Sequence, residues 1–293
     1  MNNTFPTEGN LSGLNREDFQ KDINDKKTDL FILKNKKGME VAVTNYGCAI
    51  LSIMVPDKNG KYANVILGHD SIDHVINSPE PFLSTTIGRY GNRIAKGKFT
   101  LYGEEHSLTI NNGPNSLHGG PTGFHARVWD ADQVDESTII FNYVSADGEE
   151  GFPGNLEVEM TYRLEEEENA LVIEYRATTD KATVVNLTNH GFFNLAGIAN
   201  PTPTIENNIV TINAVALGEC RSIIQIAPEK FVIYHSILSY TSHIVLQHAF
   251  ECRRFCFIPI IRVKPRPVQI TDQCHSHVCR PHTTLTSYNS DTI

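Results

Sequence analysis

The sequence is short of positive charge. It sets 25 Lys and Arg against 34 Asp and Glu, a formal charge of -9 with the histidines neutral. Such a surface repels polyanions, so nucleic acid is not an expected partner and an uncharged small molecule is. Long apolar runs are missing as well. The least polar window, Phe231 to Phe250, carries no Lys, Arg, Asp or Glu but is broken by His235, Ser236, Thr241, His243 and His248. A spanning helix needs about 20 predominantly apolar residues, so no membrane partner is expected. The N-terminus lacks a basic segment followed by an apolar one, so no secretory signal is read and the expected location is cytoplasmic. Cysteine is scarce up to residue 213, where Cys48 stands alone, and a reducing compartment argues against a disulfide framework. No helical stripe comparable in length to the strands occurs before residue 210, so the first two-thirds reads as all-β.

What is present is the grammar of an all-β domain. With 40% hydrophobic and 20% charged residues over 293 positions, the chain can bury a large core. Residues 1–28 read as a polar, extended or partly disordered lead-in. From Leu30 short strands follow one another: Leu30–Leu33, Met39–Val43 and Ala49–Val55, then a turn at Pro56–Gly60 and a return from Tyr62 to Leu67. Gly97–Tyr102 and His106–Ile110 read as another pair, turning at Gly103-Glu-Glu105. Leu156–Leu164 and Leu171–Ala177 alternate apolar and polar residues around the acidic tip Glu165–Asn169, as antiparallel strands half-open to solvent do. The Glu run reads as a solvated hairpin tip and not as a metal site.

Near Ala214 the language changes. Gly218 is the one glycine of the last 80 residues, drawn from 20 in the chain, and five of the six cysteines lie there. A β-rich chain that loses Gly, Asn and Asp has lost its turn residues. Residues 29–213 therefore read as the domain and 214–293 as a tail of different character. Three readings of that tail stand side by side: an out-of-frame translation, a divergent cap, and a metal-binding appendage using Cys252, Cys256, Cys274, Cys279 and His282.

Three stretches carry chemistry. Thr183 to Gly197 embeds Asn186, Asn189, His190 and Asn194 in a strand-forming run, more polarity than a core strand tolerates unless it faces a ligand or a hydrogen-bonded cleft. A satisfied structural histidine is the plain alternative for His190. In Ser84 to Ile94, Gly88 and Gly91 let the backbone bend while Asn92 and Arg93 project an amide and a forked cation suited to sugar hydroxyls. A phosphate cradle is the rival there, but no Lys-Ser/Thr helix start follows. The loop Asn111 to Gly120 sets His118 before a glycine pair; alone it fits a structural or a functional role equally.

Together the blocks Gly88-Arg-Tyr-Gly-Asn-Arg-Ile-Ala-Lys-Gly-Lys-Phe99, Asn115-Ser-Leu-His-Gly-Gly120 with Gly123, Phe124 and Trp129, and Asn186 to Gly197 resemble the signature blocks of the aldose 1-epimerases, or galactose mutarotases, in order and spacing from about Leu30 to Asn213. The resemblance implies a large antiparallel β-supersandwich, here incomplete at its C-terminus. It implies a monosaccharide substrate, galactose or glucose, with no metal and no nucleotide cofactor, and leaves the oligomeric state open. By position it makes His190 the general acid that protonates the ring oxygen. Asn92 and Arg93 would hold sugar oxygens, His118 would hydrogen-bond near the ring oxygen, and Gly191 and Phe192 would line the pocket. Histidine suits the acid role because its ordinary pKa of about 6.5 lies near neutrality. The family pattern continues with a Pro-x-Asp-Phe-Arg-like segment and ends with a glutamate base; neither is found, and Glu219, Glu229 and Glu251 sit in other contexts. The alternative function is thus an impaired, truncated sugar-binding β-sandwich.

Overall fold

The structure, a computed structural model, describes residues 5–200 and the strands Ile244–Leu246 and Ile260–Arg262. The described elements are almost all antiparallel strands, as the turn grammar requires; the α-helix among them is the short Ile72–Ile76. Two sheets dominate. One is a four-stranded meander of Leu30–Lys34, Glu40–Thr44, Ile50–Pro56 and Tyr62–Asn64. The other runs through Asp130–Gln133, Thr138–Ser145, Leu156–Leu164 and Ala170–Thr179 to Ile260–Arg262.

The sheets pack face to face. Phe31, Leu33, Val41, Val43 and Ile53 of the first meet Ile139, Phe141, Val158, Met160, Tyr162 and Ile173 of the second in one apolar cluster. Fully burying one such side chain contributes roughly 1.5–3 kcal/mol, so this interface is the main source of stability. The first sheet is covered on its other face too: Leu30, Ile32, Ala42 and Leu51 pack beneath Phe19, Ile72 and Val75. That second cover explains why Leu30–Leu33 is an unbroken apolar run, whereas Leu156–Leu164, exposed along one face, alternates.

The lead-in does not run free where the structure describes it. Glu40, 1% exposed, accepts hydrogen bonds from the amides of Leu11 and Ser12, and Phe19 is fully buried. A buried carboxylate is tolerated only with such partners, so the first sheet requires the strap that lies on it. At Pro56–Gly60 the expected turn is present, with the Asp57 carboxylate accepting from the amides of Asn59 and Lys61 and Gly60 at φ +81°. The next hairpin turns one residue earlier than the composition suggested. Tyr102 (φ +50°) and Gly103 (φ +88°) form its two-residue loop between Lys98–Leu101 and Glu104–Ser107, because two left-handed residues match the twist of paired strands. The acidic tip Glu165–Asn169 is a hairpin end, and Lys36 and Lys37 from the opposite sheet approach Glu166 and Glu167 at 3.5 Å. The tail readings, including the cysteines and Glu219, Glu229 and Glu251, fall outside the described residues.

Candidate active site

The three chemistry-bearing stretches meet at one end of the sandwich, tied by backbone hydrogen bonds. Thr86–Ile87 pairs antiparallel with Thr188–Asn189, and Tyr90 bridges Asn186 in parallel. The main chain of His190 is held from both sides: its N–H donates to the Thr85 carbonyl at 2.9 Å and its carbonyl accepts from the Ser84 N–H at 3.0 Å. The asparagines around it mostly hold the scaffold. Asn189 Nδ2 donates to the buried Tyr162 hydroxyl at 3.1 Å and Asn186 Nδ2 to the Gly91 carbonyl at 3.3 Å, while Asn194 Oδ1 accepts from the Ala196 N–H at 3.1 Å. The excess polarity of this strand is therefore a hydrogen-bonded frame around one histidine.

The His118 loop is pressed onto the Gly88 loop by missing side chains. His118, Gly119 and Gly120 all take positive φ, and a Cβ on Gly119 would lie 1.9 Å from the Gly88 carbonyl oxygen. Only glycine allows that approach. Gly88 is needed for contact more than for bending, since its own Cβ would strike the Phe124 ring at 2.2 Å; the left-handed residues of the stretch are Ser84, at φ +54°, and Asn92, at φ +66°. Asn92 and His118 are thereby joined twice. The His118 N–H donates to the Asn92 carbonyl at 3.1 Å, and the Asn92 N–H donates to His118 Nδ1 at 2.9 Å. With Nδ1 occupied as an acceptor, the neutral ring carries its proton on Nε2.

The rings of His118 and His190 stand 5.0 Å apart at 84°. Phe192 lies 5.1 Å from His190, and Gly191 leaves room there for the Phe193 ring, which a Cβ would approach to 2.8 Å. Arg93 is exposed, donating from Nε to Asn112 Oδ1 at 2.8 Å and from Nη1 to Asn92 Oδ1 at 3.5 Å. All six residues singled out from the sequence thus come to one place. Burial, helped by the nearby His190, Arg93 and His125, pushes the His118 pKa down to about 3. At neutral pH it is an uncharged hydrogen-bond donor.

Two residues of this region gave no signal in the sequence. Phe82 sets its ring edge-on to His118 at 4.7 Å and to His125 at 4.6 Å, and tilted against His190 at 6.2 Å. His125 is 4% exposed, its Nδ1 has no hydrogen-bond partner, and burial lowers its pKa to about 4. Nothing but a Pro before Phe82 and a Gly-Phe before His125 marked them. Among the described residues no group of His, Cys, Asp and Glu is placed to hold a metal ion.

Comparison with known proteins finds relatives of the chain. The family model described as aldose 1-epimerase matches residues 29–231. The galactose mutarotase of Bos taurus is 45% identical over 178 residues, covering 61% of this chain and 50% of that protein. The aldose 1-epimerase of Escherichia coli (strain K12) is 41% identical over 168 residues, covering 57% and 48%. Among solved structures, an aldose epimerase homologue from C. elegans superposes with a TM-score of 0.54 at 32% identity, covering 57% of this chain and 51% of that one. Galactose 1-epimerase from Lactobacillus acidophilus NCFM gives 0.53 at 32% identity, covering 59% and 51%. The chain spans about half the length of the curated relatives it matches.

Proposed function

The chain belongs to the aldose 1-epimerase family, and from that premise we propose that its site interconverts the α and β anomers of a hexose such as galactose or glucose. The observation that carries this reading is the perpendicular pair of imidazoles, His118 and His190, 5.0 Å apart on loops that also present Asn92 and Arg93. In the proposed reaction His190 gives its proton to the ring oxygen as the bond from that oxygen to C1 breaks. The anomeric hydroxyl loses its proton to a base, leaving an open-chain aldehyde. Rotation about the C1–C2 bond presents the other carbonyl face, and the proton transfers reverse to close the ring.

His118 acts in this scheme through Nε2–H, a neutral donor to the ring oxygen or its neighbour. Its Nδ1 is taken by Asn92 and its low pKa keeps it from competing for the transferred proton. Asn92 and Arg93 hold hydroxyls, and Gly191 and Phe192 close the wall. The partner base and the sugar-binding aspartate that the family resemblance implies are not assigned among the described residues. Polarimetry of freshly dissolved α-galactose and α-glucose tests the reading: the chain accelerates mutarotation above the buffer rate and His190→Ala removes the acceleration. General acid catalysis contributes about 10²–10⁴-fold, so an unchanged rate in His190→Ala would overturn the assignment.

A further inference from the structure

The contacts of Phe82 are unusual for a half-buried aromatic in a loop, because its ring reaches all three imidazoles of the region. His118 and His125 flank it edge-on at 4.7 and 4.6 Å, with interplanar angles of 66° and 61°, and His190 lies 6.2 Å away at 36°. Edge-to-face contacts at these distances have a preferred geometry and contribute about 0.5–1.5 kcal/mol beyond area burial. They orient a neighbour as well as covering it. The backbone of Phe82 reaches the same place. Its carbonyl accepts from both the N–H and the hydroxyl of Thr85, at 3.2 and 3.0 Å, and the Thr85 carbonyl accepts the His190 N–H at 2.9 Å. Ring and main chain of one residue therefore fix both members of the imidazole pair.

We propose that Phe82 is the positioning residue of this site: its ring, backed by the buried His125, sets the perpendicular arrangement of His118 and His190 and seals the inner wall of the sugar pocket from water. No other described side chain has ring contacts with His118, His125 and His190 together. The hydrogen bonds of His118 go to the Asn92 backbone, and the rings against it are Phe82 at 4.7 Å and His190 at 5.0 Å, so the Phe82 contact adds to what fixes the orientation of the imidazole. The groups that face His118 electrostatically are His190, Arg93 and His125, all basic, and Glu150 acts on His125. A ring that keeps water out among these bases also keeps His118 uncharged. The inference rests on the epimerase reading for its consequence in rate and stands apart from it in structure.

Two measurements on Phe82→Ala and Phe82→Tyr separate those levels. The first is NMR titration of the imidazole C–H resonances. In Phe82→Ala the His118 midpoint rises from about 3 toward the ordinary value of about 6.5 as water enters, while Phe82→Tyr, which keeps the ring, leaves it low. The second is mutarotation: kcat falls about 10- to 100-fold in Phe82→Ala, the cost of a small misplacement of reacting groups, with KM changed much less, and Phe82→Tyr recovers most of the rate. An unmoved His118 midpoint in a folded Phe82→Ala chain overturns the proposal; if that variant does not fold, Phe82→Leu takes its place with the same criterion. A wild-type chain that fails to accelerate mutarotation counts against the epimerase reading alone, since the titration still decides the role of Phe82.

Discussion

The loop from Gly88 to Ile94 divides at Gly91, and its halves do opposite things with the same residue type. Before the division, Arg89 turns inward and is 1% exposed. Its Nη1 donates to the carbonyls of Pro153 and Gly154, both at 2.9 Å, and its Nη2 to the Ser145 hydroxyl at 2.7 Å and the Ser145 and Ala146 carbonyls at 3.1 Å. After it, Arg93 is exposed and donates to two asparagines, Asn112 and Asn92. Burial lowers the Arg89 pKa to about 10, against the pull of Glu149, yet the group stays charged at neutral pH and works as a clamp between loops. Arg89 ties the loops together from inside, and Arg93 is the exposed arginine of the pair.

The largest effect expected is on the inward half. Arg89→Met keeps the apolar stem but strands a set of buried carbonyls, each costing about 1–3 kcal/mol when left unsatisfied. Urea unfolding should show a loss of several kcal/mol, and a loss below about 1 kcal/mol would mean that Arg89 is no clamp. Gly119→Ala comes next. It introduces a Cβ 1.9 Å from the Gly88 carbonyl oxygen at a residue with φ +85°, and strain of that kind costs about 1–3 kcal/mol before any loop shift. The same titration reads it, with His118 moving from Asn92 as the local signature in NMR.

Acid tests the two imidazoles beside this loop, the half-buried His118 and the buried His125. The folded-state pKa values of His118 and His125 are lowered to about 3 and about 4, below the unfolded value of about 6.5. Between those limits the unfolded chain binds more protons, so stability is fully present above about pH 6.5 and is lost as pH falls. The slope is about 1.4 kcal/mol per pH unit for each histidine. Unfolding midpoints measured from pH 7 to pH 5 should fall accordingly, and His125→Asn should reduce the slope. A pH-independent midpoint over that range would break the link between burial and neutrality.

How far the sequence foretold this arrangement depends on what kind of signal each residue leaves. Alternation in Leu156–Leu164 and glycine-rich turns are local, so the all-β plan was legible, and His190 stood out because a polar run interrupts a strand pattern. Asn92, Arg93 and His118 were singled out through the resemblance of their loops to a family pattern, since the His118 loop alone fitted a structural role equally. Arg89 was not separable from Arg93, since both lie in the same motif and only the packing of Ser145, Pro153 and Gly154 around one of them decides which turns inward. Phe82 and His125 left no trace for the same reason: their role comes from contacts between segments distant in the chain, which neither period nor composition encodes. The anchoring of the lead-in was not legible, because it rests on a buried glutamate of a strand distant in the chain.

The smallest effect on stability is expected on the outward half, and it is the one that tells most about function. The Arg93 side chain is exposed, and its bonds to Asn112 and Asn92 join groups that water can also satisfy. Arg93→Ala should therefore shift the unfolding free energy by no more than about 0.5 kcal/mol. Binding should respond differently, because a hydrogen bond from a charged donor contributes about 1.5–3 kcal/mol. Galactose affinity, followed by calorimetry or ligand-observed NMR, should weaken about tenfold or more. Arg93→Lys should not restore it, since an ammonium lacks the flat fork that can hold Asn92 and a hydroxyl at once. A stability loss in Arg93→Ala as large as that in Arg89→Met would erase the contrast between the halves. Unchanged stability with weakened binding would place the boundary between scaffold and sugar-facing surface at Gly91.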